Sequence, residues 1–159
     1  MKQLPNWKEL PSLDLYLDQV LLYVNQETAT YLSRSEKPLT AAMVNNYVKH
    51  GYLPKPVKKK YGRLQIARLI VLTLCKPIFA ITDICQMIEV HYQDADSKVL
   101  YDCFVDCLMG KEQAEVPELI LKACQAIQAY QEAMKLIDSL TETTSPNNMK
   151  EGIANESNL

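Results

Sequence analysis

Apolar residues recur at helical spacing through most of this chain, and several such runs are closed by a proline or a glycine. With only 4 glycines in 159 residues, a turn-rich β architecture is disfavoured. Leu15, Leu17, Val20, Leu21, Val24 and Tyr31 predict a long first helix, capped by Ser12 or Asp14 and reaching about Leu32. After the polar break Ser33 to Pro38, Thr40 caps a second helix that runs to about His50, where Gly51 suits a left-handed terminal residue. Pro54 and Pro56 keep the next stretch extended, and Val57 to Gly62 forms either a short two-stranded ribbon or a loop. Further helices are predicted from Leu64 to Cys75, stopped by Pro77, and from Thr82 or Ile81 to Tyr92. Another, capped within Asp94 to Ser97, carries Val99, Leu100, Cys103, Phe104, Cys107 and Leu108 and ends at Gly110. The last opens near Pro117.

The expected fold is therefore all-α, with a long N-terminal helix, C-terminal helices and a small wing. Its expected organisation is a domain over 12–92, a helical region over 94–140 and a polar, disordered tail over 141–159.

Charge is distributed very unevenly. The net charge is −2, yet nine basic residues from Lys37 to Lys76 stand in a stretch that holds no acidic residue before Asp83. They are Lys37, Lys49, Lys55, Lys58, Lys59, Lys60, Arg63, Arg68 and Lys76, and the other 8 basic residues share the rest of the chain with all 19 acidic ones. Folding alone does not demand such segregation. A surface that attracts a polyanion does.

Within that stretch, Val44, Tyr47 and Val48 make one apolar stripe of the second helix, and Ala42, Asn45, Asn46 and Lys49 make its opposite face. Asparagine can pair bidentately with adenine in a major groove, so Asn45, Asn46 and Lys49 are candidate base-facing residues. The same composition also suits a helix that only meets water. Lys55, Lys58, Lys59, Lys60 and Arg63 place five positive charges within nine residues of the ribbon or loop, a pattern suited to phosphate contacts.

The run Met43-Val44-Asn45-Asn46-Tyr47-Val48-Lys49-His50-Gly51-Tyr52-Leu53-Pro54 resembles the recognition helix and following turn of MerR-type winged helix-turn-helix regulators. Tyr47, Gly51 and Leu53 fit the pattern. So do Tyr61, Ile66, Leu69 and Leu72 after the basic wing, and Phe79 to Ile84 at the closing turn and helix. Asn45 stands where that family usually carries an arginine, Asn46 replaces its first tyrosine, and Gln65 replaces an acidic residue. The Asn-Asn-Tyr-Val-Lys signature is similar to an uncharacterised bacterial family of the YkrK type. The resemblance implies a DNA-binding regulator that dimerises through a C-terminal helix and sets two recognition helices on a pseudopalindrome.

Ile120, Ala123, Ile127, Tyr130, Met134 and Ile137 recur at spacings 3, 4, 3, 4, 3, a heptad seam of about two and a half repeats. It can pack within the chain or against a second copy, and a shared helical homodimer core is expected. Five cysteines with no Cys-x-x-Cys pair, and two histidines without ligand spacing, indicate reduced thiols and no metal site. Cys103 and Cys107 lie one turn apart and read as buried hydrophobes, with a thiol or soft-metal sensor as the sharper alternative. Asp102 and Asp106 are expected to face water. No phosphate loop, nucleophile–base pair or carboxylate dyad is present, so no enzymatic activity and no cofactor are expected. The absence of a spanning apolar run and of a signal peptide points to the cytoplasm without membrane contact. The reading is a dimeric regulator of double-stranded DNA. The alternatives are a helical module that docks an acidic protein partner and a small-molecule or redox sensor. No effector is named by these residues.

Overall fold

The computed structural model describes residues 2–92 and 96–143. It is mostly helical, with a two-stranded antiparallel sheet. The elements are β1 (Leu15–Tyr16), α1 (Leu17–Thr28), α2 (Ala41–Lys49), β2 (Lys60–Tyr61), α3 (Arg63–Cys75), α4 (Ile81–Tyr92), α5 (Ser97–Leu108) and α6 (Glu118–Thr143). Single 3₁₀ turns occupy Trp7–Glu9 and Ala29–Tyr31. Among the described residues, no helix is long and apolar enough to cross a membrane.

The first helix is shorter than its apolar pattern predicts. Leu15 and Tyr16 are extended and pair with Tyr61 and Lys60 respectively, so helical geometry begins only at Leu17. The strand pairing thus takes the residues that periodicity assigns to a helix. At the other end the last α-helical turn tightens into the 3₁₀ turn at Ala29–Tyr31. The last helix reaches Thr143, three residues into the expected tail; the rest of that tail, 144–159, lies outside the described residues.

Helix α3 is the centre of the molecule. Ile66, Leu69, Ile70, Leu72, Leu74 and Cys75 are all buried, on every side of the helix, as befits an element surrounded by others. It packs against α1, α4, α5 and β2. Helix α6 lies along α5, where Ile120, Ala123, Cys124 and Ile127 are buried and the Gln128 amide donates to the Leu108 carbonyl at 2.9 Å.

The heptad seam is therefore divided. Ile120, Ala123 and Ile127 belong to the core of the chain itself, while Tyr130 and Met134 are half-buried and Ile137 is exposed. The Tyr130 hydroxyl donates to Glu36 at 2.6 Å, and the Gln131 amide to the Tyr31 carbonyl at 3.1 Å. These bonds hold the middle of α6 against the segment that follows α1.

The N-terminal segment fastens across α5. Leu4 and Leu10 are buried, the Tyr101 hydroxyl donates to the Pro5 carbonyl at 2.7 Å, and the Trp7 amide donates to Asp102 Oδ1 at 2.7 Å. Asp102 is thus not a water-facing acid but the anchor of a chain segment 95 residues away.

Candidate nucleic-acid interface

Helix α2 starts where Thr40 Oγ1 accepts the Met43 amide at 3.2 Å. It ends at Gly51, whose φ of 77° is the left-handed geometry that costs other residues a Cβ clash. The amides of Tyr52 and Leu53 both return to the Tyr47 carbonyl, at 2.8 and 3.2 Å, which closes the helix tightly. His50 adds a second lock: its backbone amide and its Nδ1 reach the Asn46 carbonyl at 3.0 and 2.9 Å, and its ring stacks on Tyr52 at 5.7 Å.

Val44 and Tyr47 are buried, and Asn45, Asn46 and Lys49 are exposed. The two faces are those given by the 3.6-residue period. The start of α2 is fixed by a contact that periodicity does not reveal. The Asn25 side chain donates to the Leu39 carbonyl and accepts the Leu39 amide, both at 2.9 Å. This two-point clamp ties the residue before the N-cap to α1.

Residues 57–60 form a tight hairpin. Val57 and Lys60 exchange both backbone hydrogen bonds at 3.0 Å, and the two residues between them, Lys58 and Lys59, have φ of 51° and 65°. Positive φ at both central positions defines a type I′ turn, which normally recruits Asn-Gly because side chains with a Cβ are strained there. Here both tip positions are lysines, exposed to solvent. Lys60 continues into β2 and lies over the Tyr16 ring, 5.2 Å from its centroid. The second strand of this hairpin is joined by β1.

Gln65 holds this loop to α3. Its Oε1 accepts the Gly62 amide at 2.7 Å and its Nε2 donates to the Lys55 carbonyl at 3.2 Å. A neutral amide can do both, whereas a carboxylate could only accept. Lys55 is exposed beside these contacts. Arg63 is half-buried, with Nε directed at the Leu10 carbonyl at 3.4 Å, so part of its donor capacity is used inside the fold. Tyr61 is a core residue, 3% exposed, with its hydroxyl pKa raised by burial.

The ion pairs among the described residues are Lys2–Glu27, Arg34–Glu142 and Lys111–Asp106. None includes any of the nine basic residues from Lys37 to Lys76. That positive charge is not compensated by carboxylates of the described fold.

The thiols lie elsewhere. Cys75, Cys107 and Cys124 are buried where α3, α5 and α6 meet, Cys85 and Cys103 are half-buried, and all five are free. Burial pushes the Cys75 thiol up to about 12 and raises those of Cys85, Cys103 and Cys124. Such thiols are poor nucleophiles at neutral pH. Among the described residues no group of three or more His, Cys, Asp or Glu side chains could hold a metal ion.

The family model described as "Domain of unknown function (DUF1836)" matches residues 5–104, and the chain belongs to that family. The match takes in the N-terminal segment, the basic hairpin and most of α5. Neither the curated proteins nor the solved structures yield a match.

Proposed function

We propose that this chain is a DNA-binding transcriptional regulator built on a winged helix-turn-helix, with α1 and α2 as the helix pair and the 57–60 hairpin as the wing. Asn45, Asn46 and Lys49 on α2 face base edges in the major groove. Lys55, Lys58, Lys59 and Lys60 contact phosphates, with Arg63 contributing from the base of the wing. The observation that carries the reading is the set of nine basic residues with no ion-pair partner among the described residues, next to a helix that exposes two asparagines.

Two copies acting together would read an inverted repeat, and Leu136, exposed near the end of α6, provides apolar surface for that association. An acidic protein partner would also satisfy the charge, but it would show no preference among DNA sequences. Fluorescence anisotropy with a random duplex tests the wing. Replacing Lys58, Lys59 and Lys60 with Ala flattens the log–log salt dependence by up to about three units, roughly 0.9 for each phosphate that is no longer neutralised. An unchanged slope removes the hairpin from the interface.

A further inference from the structure

Between α3, α4, α5 and α6 lies an apolar cavity of about 80 Å³, open to solvent and walled by Val71, Ile84, Ile88 and Leu100. Arg68, His91 and Ser97 are among the polar side chains that line it. The Ser97 hydroxyl is buried and has no hydrogen-bond partner among the described residues, an orphan that a folded protein normally avoids. His91 directs Nδ1 to the Met87 carbonyl at 2.8 Å, which assigns that nitrogen as the donor and leaves Nε2 unengaged by this bond. Arg68 is half-buried and forms none of the ion pairs among the described residues; its bond from Nη1 to the Tyr52 carbonyl is 3.5 Å long.

A guanidinium that pairs with no carboxylate among the described residues, beside an apolar wall and an unsatisfied hydroxyl, suits an anion. We propose that this cavity binds a short aliphatic carboxylic acid, with its chain against Ile84 and Ile88 and its carboxylate on Arg68 and the Ser97 hydroxyl.

The site also has a route to the DNA-facing helix, a consequence that rests on the regulator reading. Arg68 Nη1 lies 3.5 Å from the Tyr52 carbonyl, a long hydrogen bond, and Tyr52 stacks on His50 at the end of α2. A carboxylate that engages the guanidinium competes with that carbonyl, loosens the turn that closes α2 and weakens DNA binding.

Calorimetric titration of the DNA-free protein with butanoate, pentanoate and hexanoate tests the site without reference to DNA. Affinity is expected to rise about fourfold with each methylene until the cavity is full, and to exceed that of hexanamide about tenfold. Ile84 and Ile88 methyl resonances are expected to shift with the same saturation. Arg68→Met is expected to bind hexanoate and hexanamide alike, and if that variant does not fold, the acid–amide comparison in the native protein decides the same point. No heat and no methyl shifts with any acid, a flat chain-length series, or equal affinity for acid and amide would each overturn the proposal. Saturable acid binding that leaves DNA affinity untouched retains the site and overturns the coupling. Acid binding by a protein that shows no affinity for DNA retains the site and sinks the regulator reading instead.

Discussion

Replacing Lys58 with Asn and Lys59 with Gly separates what the hairpin tip does for the fold from what it does for a ligand. The native tip sets two lysines at φ of 51° and 65°, where an L-residue with a Cβ is strained by about 1–2 kcal/mol. Asn relieves part of that strain and Gly all of it, but Gly also adds about 0.5–1 kcal/mol of chain entropy to the unfolded state. The net gain is about 1–2 kcal/mol, which in a chain of this size raises Tm by about 3–6 °C. The same change removes two exposed charges. If both contact phosphates, the salt slope becomes shallower by about 1.8, so that between about 50 and about 200 mM salt the native protein loses roughly twelvefold more affinity than the variant. Calorimetry and anisotropy on one preparation read the two effects independently. A Tm that falls or stays level refutes the strain argument, and an unaltered slope refutes the phosphate contacts. Both effects together mark the tip as a place where stability is given up for binding.

The other substitutions probe single links. Asn46→Ala is expected to relax the base preference at one position of the bound site by about 1–3 kcal/mol while changing affinity for a random duplex little; an identical preferred site means that Asn46 reads no base. Asn25→Ala strips both partners from the Leu39 amide and carbonyl and is expected to destabilise the protein by about 1–3 kcal/mol, measured by urea titration, with amide exchange accelerated first at the start of α2. The thiols are expected to resist alkylation at pH 8 in the native protein and to react fully in denaturant, because burial holds Cys75 and Cys124 protonated. For Cys75, with a folded value of about 12 against an ordinary 9.0, the neutral form is favoured by folding; its stabilising contribution is complete below pH 9 and is lost as pH climbs towards 12. Rapid labelling of Cys75 in native protein contradicts that burial.

Much of this architecture is readable from local pattern. Thr40, Gly51, Asp96 and Gly110 mark helix limits because capping and left-handed termini need particular side chains within a few residues. The exposed and buried sides of α2 follow from its period alone. What pattern does not reveal depends on partners distant in sequence. Strand β1 is two residues long, too short for an alternation signal, and its extended state comes from Lys60 and Tyr61. The Asn25 clamp on Leu39 and the Asp102 anchor for Trp7 join residues that no short motif links. The 3₁₀ turn at Trp7–Glu9 did carry a signal: Asn6 and Glu9 stand at capping-box spacing, and their side chains cap each other's amides at 3.2 and 3.3 Å. In the seam, heptad spacing identifies an apolar stripe but not what covers it, and α5 takes its first half.

Selection of bound sequences from a random duplex library, followed by titration of the enriched site at two salt concentrations, decides whether this chain reads DNA. An enriched inverted repeat bound by two copies is expected, with half-sites about one helical turn apart and an affinity that falls steeply with salt. A library that stays random, with only weak binding abolished by salt, contradicts that reading and assigns the basic surface to a partner other than DNA.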